Sequence, residues 1–379
     1  MRTLALSKIL LVAGLLAAPD LRAQDTTPPK GKHGKAQGKA KKVKTQDTTQ
    51  ATAEGKAKPV KVSHFWDSVD PFEMTLTLNL KRVRNDKMAS APWEPATLSF
   101  ADSGTTVTLP IRVRTRGISR LKICTHFPPI WVDFVGGDTK KHIFSHVKRF
   151  KLVSPCKPQS VFERYVIEEY NLYRVLGLLT PVSHFARIVH VTVVDSASQK
   201  PDFTRYAYAL EDVDDLAARL GGKKFAVEGA TAGDMQQHQT AVFGLFEYMI
   251  GNTDFSIYAL HNAELVTLHD GVYPIPHDFD QAGVINPPYA IPDPKLGIRN
   301  VTDRLYRGLC VSPDTIATVV KEFQDKRSAI NALYADTIGK LISGNGAKES
   351  VRWFDDVFSD LANPKTVKND ILDKCRDVR

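Results

Sequence analysis

The chain of 379 residues has four cysteines, Cys124, Cys156, Cys310 and Cys375, and no Cys-x-x-Cys pair among them. That spacing excludes the compact thiolate sites of zinc ribbons and thioredoxin-like redox centres. Also missing are a G-x-x-x-x-G-K-[ST] loop, a G-x-G-x-x-G of the usual kinase form, an H-E-x-x-H pair and a G-x-S-x-G elbow. Walker-type ATPases, zincins and α/β-type serine hydrolases therefore find no support. The main apolar run, ILLVAGLLAA at 9–18, falls short of the about 20 residues that span a bilayer, so no membrane span is expected.

What is present divides the chain. Residues 1–23 carry Arg2, Lys8, the apolar run and Leu21-Arg22-Ala23, the pattern of a secretory signal with its cleavage site, so an exported, periplasmic or extracellular protein is expected. Residues 24–62 are rich in Lys, Thr, Gln, Ala and Gly with almost no large apolar side chain. Such a segment cannot build a core and reads as a disordered linker. It holds ten Lys against Asp25, Asp47 and Glu54, so most of the net charge of +9 belongs to it. A basic arm of this kind suits either a solvated spacer or contact with an anionic component of the cell envelope. Its Thr26, Thr27, Thr45, Thr48, Thr49 and Thr52 lie where a flexible segment could reach its own active site. The remainder, with charge near balance, shows no sign of nucleic-acid recognition.

From residue 63 the first half reads as β-rich. Stretches 74–80, 105–116, 130–134 and 149–153 alternate apolar and polar residues as strands do, and 160–178 has the spacing of a helix. The pair 186–194 and 206–210 follows as strands, leading into Glu211-Asp212, whose carboxylates begin a helix. Beyond 302 the chain reads as successive amphipathic helices. Cys124 is expected to pair with Cys156 and Cys310 with Cys375, free thiols being the other reading.

The richest stretch is 251–280. An apolar helix at 241–250 stops at Gly251-Asn252, which tolerate the left-handed conformation after a helix end. Asp254 then lies in a loop. Two short strands, 263–268 and 272–276, are joined by His269-Asp270-Gly271, a hairpin turn signal. Asn262 enters the first strand and Asp278-Phe279-Asp280 leaves the second. Phosphoryl transfer of the kinase type needs this division of labour: one Asp for the acceptor hydroxyl, an Asn and a further Asp for metal. Turn-capping roles for single residues are the plainer alternative. A transition-metal site at His261, His269 and His277 lacks a compact ligand pair.

Two further elements complete this reading. Lys151, on a strand, could neutralise nucleotide phosphates while Glu168 on the following helix holds it, with Glu163 and Glu169 as neighbouring candidates. Arg116-Gly117-Ile118-Ser119-Arg120 follows a strand and offers a phosphate-facing turn, since Gly permits close backbone approach and Arg binds phosphate bidentately. An adenine would meet main-chain groups near Glu211 and Asp212.

On these residues the chain resembles the spore-coat CotH family of secreted, atypical protein kinases, over about residues 110–290. The resemblance rests on Arg116, Gly117 and Ser119, the strand-to-helix unit from Lys151, the strand pair into Glu211-Asp212, and the Asn252-Thr253-Asp254 to Asp278-Phe279-Asp280 block. It implies an α+β, protein-kinase-like two-lobe fold, with a β-rich lobe at 63–210 and a helical lobe at 211–379. It implies Asp254 as catalytic residue, Asn262 and Asp278 as metal ligands with Asp280 assisting, and ATP with Mg2+ or Mn2+ as cofactors. The function expected is phosphate transfer to Ser or Thr of a protein substrate. A catalytically silent binding module and nucleotide-dependent AMP transfer are the alternatives. His-Arg-Asp is absent, Asp254 and Asn262 stand further apart than in kinases, and Ile118 replaces a frequent Asn.

Overall fold

A computed structural model describes residues 61–86, 88, 91–117, 119–124 and 126–377. The expected signal and nearly all of the basic linker lie outside the described residues. The described residues belong to one compact unit, Lys58–Arg379.

Strands dominate its first half: β1 (Phe72–Leu78), β2 (Glu94–Asp102), β3 (Thr105–Thr115), β4 (Ile130–Phe134), β5 (Arg149–Val153), β6 (Ala186–Asp195) and β7 (Lys200–Glu211). Two short helices interrupt them, α1 (Leu80–Asn85) and α2 (Ser119–Ile123), and one long helix, α3 (Ser160–Leu179), stands between β5 and β6. Alternation sets the two faces. Met74, Leu76 and Leu78 of β1 turn inward with Leu109, Ile111 and Val113 of β3 and Val191 and Val193 of β6, all buried. These side chains fill a core together with Phe65, Phe144 and Phe150.

The strands close into a barrel in the order β1-β2-β3-β4-β5-β7-β6. Neighbours are antiparallel except at the seam, where β1 runs parallel to β6 from Phe72 opposite Val189 to Leu78 opposite Asp195. This corrects the expected two-lobe kinase-like fold: a sealed seven-stranded mixed barrel does not fit it. The reason is physical. Alternation identifies strands and their buried face, whereas closure depends on a parallel pairing between segments far apart in sequence, which no local pattern encodes.

The second half packs helices against α3, which itself lies on β6 and β7 of the barrel. α4 (Val213–Arg219) and the two-residue strand β8 (Lys223–Lys224) lead to α5 (Gln237–Ile250), then to the hairpin β9 (Ala263–Leu268) and β10 (Gly271–Pro276), and finally to α6 (Pro313–Leu333) and α7 (Gly346–Leu361). α3 and α5 share a core with α6 and α7 through Leu176, Leu245, Phe246, Val319, Phe323 and Phe354. The C-terminal region is less regular than its pattern implies. Helix α6 runs unbroken over Pro313–Leu333, and turns and single-turn helices occupy much of 334–345 and 362–374. Both expected disulfides are present, Cys124 to Cys156 and Cys310 to Cys375.

Glu168 lies on the side of α3 that meets these helices. Its nearest cation is Arg164 at 3.8 Å, and a side chain at Gly346 would strike its Oε1. Burial pushes its carboxyl up to about 8, with Arg164 opposing. Between the ordinary value of 4.5 and about 8 the folded state keeps a proton that the unfolded chain has lost, so stability falls as pH rises through that window. Denaturant unfolding at pH 5 and pH 8 should show a smaller pH-dependent loss for Glu168→Gln than for the wild type. An unchanged loss would show that Glu168 is ionised in the fold.

Candidate functional site

α5 ends at Gly251, whose φ of 70° takes the left-handed turn expected of it. Trp353 and Gly283 crowd this position, and a Cβ would stand 2.8 Å from the indole. The turn delivers Asn252, Thr253 and Asp254. Asn252 Oδ1 accepts the Asp254 N–H at 3.0 Å, and Arg307 donates to the Thr253 carbonyl. The Asp254 carboxylate then receives His261 Nε2 at 2.9 Å and Gln281 Nε2 at 2.6 Å. Its side chain remains 36% exposed and opens on a cavity of about 280 Å³ lined also by His261, Asp293 and Arg307.

The hairpin sets the other two residues beside it. Ala263 pairs with Pro276, so Asn262 and His277 are its next rung, and the His277 N–H reaches the Asn262 carbonyl at 3.2 Å. Asn262 Nδ2 donates to the Asp254 carbonyl at 2.7 Å and to its carboxylate at 3.3 Å. Asp254 offers that amide only acceptors, which leaves Asn262 Oδ1 for a cation or donor. Asn262 and Asp278 both adopt positive φ, 49° and 64°. Asn and Asp tolerate that region better than other side chains, and such backbone gathers at ligand sites.

Arg120 closes the group from the barrel side. α2 carries it, and the Cys124–Cys156 bond ties the end of α2 to the segment before α3. Its guanidinium reaches Glu169 of α3 at 3.0 and 3.1 Å, Asp278 at 3.2 Å and Asp280 at 2.9 Å. Three carboxylates thus share one cation. Burial pushes Asp280 up to about 7 and raises Glu169, while Arg120 opposes both. Burial works against the Asp278 charge too, but Arg120, Arg116, His277 and Lys151 outweigh it and hold the carboxyl below the usual range. The Asp278 N–H donates to Tyr173 Oη at 2.9 Å.

Lys151 does not meet Glu168. Its Nζ lies 3.2 Å from Glu264 Oε1, and Glu264 Oε2 is 2.7 Å from His184 Nε2. Burial opposes the charge on Glu264, yet Lys151, His277 and His184 hold it well below the carboxylate range. Burial drives His277 down to about 3, with Glu264 opposing. Around Trp131 on β4 stand Arg149 at 5.1 Å, Lys151 at 5.6 Å and Arg116 at 5.7 Å from the ring centre. Gly117 takes φ 90° after Arg116, and Ser119 opens α2.

Of the residues expected from the sequence, Asp254, Asn262, Asp278, Asp280, Lys151 and Arg116 come together, and Glu168 does not. Its neighbour Glu169 reaches the site instead, through Arg120. Sequence reasoning missed Glu264 and His184. Glu264 lies on β9 two residues past Asn262, inside the stretch already singled out; His184 sits in a loop with no pattern around it.

Among the described residues no group of three or more His, Cys, Asp or Glu side chains is arranged to hold a metal ion by itself. The oxygens of Asp278 and Asn262 nevertheless fit a hard cation, since Mg2+ takes one or two protein ligands and completes its shell with water and phosphate. Asp280 is committed to Arg120. No protein-family model matches the chain, and no curated protein matches its sequence.

Arg120→Met would leave two buried carboxylates, Glu169 and Asp280, and the part-exposed Asp278 without their shared cation. Removing one partner from a buried ionic group costs about 3–5 kcal/mol, a loss that urea unfolding would measure. Adding Glu169→Gln to that variant should recover part of it. A loss below about 1 kcal/mol would mean that Arg120 contributes no more than a surface ion pair.

Proposed function

We propose that this protein is an exported phosphotransferase that moves phosphate from a metal-bound nucleoside triphosphate to a Ser or Thr hydroxyl of a protein. The observation that carries the reading is the contact of Asn262 with Asp254 and, through the hairpin's last rung, its adjacency to Asp278. It combines one partly exposed carboxylate, one amide with a spare oxygen, and one ionised carboxylate in a cationic setting. The reading rests on the site and not on the fold, and the resemblance to the CotH family implies the same chemistry.

In this account Asn262 and Asp278 would hold a metal ion, which would neutralise charge on the transferring phosphate. Lys151 and Arg116 lie on the barrel side of Asp278 and draw the phosphate chain toward it. Asp254, held by His261 and Gln281, orients the acceptor hydroxyl and takes its proton as the new bond to the γ-phosphorus forms. The bond from that phosphorus to the departing nucleoside diphosphate breaks in the same displacement. Proton transfer to a positioned group of this kind contributes about 10²–10⁴-fold to rate.

Two disulfides form and persist in oxidising compartments, which supports export. No helix among the described residues is long and apolar enough to cross a membrane. The silent-module reading has one observation in its favour, the engagement of Lys151 by Glu264.

The reading makes separable predictions for two variants, followed by labelled-phosphate transfer and by nucleotide binding in Mg2+. Asp254→Asn should lose at least about a hundredfold in transfer and keep nucleotide affinity, as removal of a proton acceptor requires. Asp278→Ala should lose metal-dependent affinity and transfer together. Transfer unaffected by either change would remove these residues from the chemistry.

A further inference from the structure

A nucleotide base is commonly read by the main chain at a strand end, and one such edge runs where β7 passes into α4. Its polar groups are already used. The Glu211 N–H donates to the Phe185 carbonyl at 2.9 Å, and the Glu211 carbonyl accepts from His184 Nδ1 at 3.0 Å. The Asp212 carbonyl accepts from the Leu216 N–H at 2.9 Å, and the Asp214 N–H donates to Asp212 Oδ1 at 2.8 Å. Side chains there are engaged as well. Glu211 binds Arg219 at 2.8 and 3.0 Å and the Phe185 N–H at 2.9 Å, and the Asp212 carboxylate is held by Arg149. A base seeking these groups would have to break bonds whose partners would then be buried and unpaired, at a cost greater than a new bond returns.

Cationic groups present the opposite picture. β3 sends Arg112 and Arg114 to the outer face of the barrel while Ile111, Val113 and Thr115 turn inward, and Arg116 continues past the strand end. On the adjoining strands Trp131 and Lys151 are paired, as are Asp133 and Arg149. Arg112 is taken by Asp133 at 2.6 Å. Arg114 and Arg116 have no carboxylate partner among the described residues: Arg114 lies over Trp93 at 4.6 Å with its Nε buried and unpartnered, and Arg116 lies over Trp131. Arg114 faces the α1 side of the barrel, whereas Arg116 stands with Lys151 beside Trp131 and both act on Asp278, an arrangement suited to the oxygens of a phosphate chain.

We infer that the site selects its donor by the phosphate chain and not by the base, so that ATP, GTP, CTP, UTP and inorganic tripolyphosphate all occupy it. The inference rests on the phosphotransferase reading for its location and specifies what that site recognises. Arg116 and Lys151 supply the affinity, and Trp131 lies beneath the chain as the side chain that stacks Arg116.

The test is equilibrium binding of those five ligands to the wild-type chain in Mg2+, read from tryptophan emission, with Trp131→Phe identifying the responding indole. Dissociation constants within about tenfold of one another, a span of roughly 1.4 kcal/mol, are expected. Arg116→Ala should weaken all five by a common factor. ATP binding more than about tenfold tighter than every other ligand, or no binding of tripolyphosphate where nucleotides bind, would overturn the inference. Transfer assays separate the two claims. Binding of all five without transfer from any would uphold selection by phosphate and count against the phosphotransferase, whereas transfer and binding confined to ATP would do the reverse.

Discussion

Arg120 is the point at which the two halves of the molecule meet. It comes from a five-residue helix fixed near one end by a disulfide, and it binds one carboxylate from α3 and two from the segment after β10. A single buried guanidinium facing three carboxylates leaves negative charge in excess, and that excess falls unevenly. Burial keeps Asp280 and Glu169 toward their protonated forms, whereas Asp278, which also faces Arg116 and Lys151, stays ionised. The geometry thereby distinguishes two carboxylates of one Asp-Phe-Asp triplet. Asp280 becomes part of the scaffold, and Asp278, 30% exposed, contacts Arg120 through Oδ1 alone and keeps Oδ2 for a further partner.

The rest of the site depends on how firmly that segment is held. Phe279 is fully buried against Tyr173 and Phe246, so the triplet is pinned by its apolar centre while the carboxylates on either side both reach Arg120. The β9–β10 hairpin fixes the distance from Asn262 to Asp278 by its register, and the left-handed stop of α5 fixes Asp254. Lys151 with Glu264 and His184 forms a second buried ionic group beside the first. Its net effect is to hold the lysine head at the floor of the cationic strip instead of letting it reach solvent.

Local chemistry made much of this legible. The Gly251 turn, the hairpin and the long helix α3 were readable because each is specified by residues close together in sequence. The disulfide pairing followed from position, and the grouping of Asp254, Asn262 and Asp278 from a pattern within thirty residues. What failed was long-range. Barrel closure needs β1 to find β6, and neither strand's alternation says so. Glu168 and Glu169 are adjacent, and choosing between them requires the rotation of α3 against the barrel; a one-residue error moves a carboxylate about 100° around a helix. Glu264 was passed over because a charged residue in a short strand looks solvent-facing until three basic side chains are seen around it.

The central claim is that the cluster around Arg120 leaves Asp278 ready for a divalent cation that arrives with a phosphate chain. Mn2+ titration followed by electron paramagnetic resonance tests it most directly, with and without a nucleoside triphosphate. The account predicts weak binding of Mn2+ to the protein alone, a marked gain in affinity when the triphosphate is present, and loss of that gain in Asp278→Ala. Mn2+ binding that ignores the triphosphate, or a gain that survives Asp278→Ala, would contradict it.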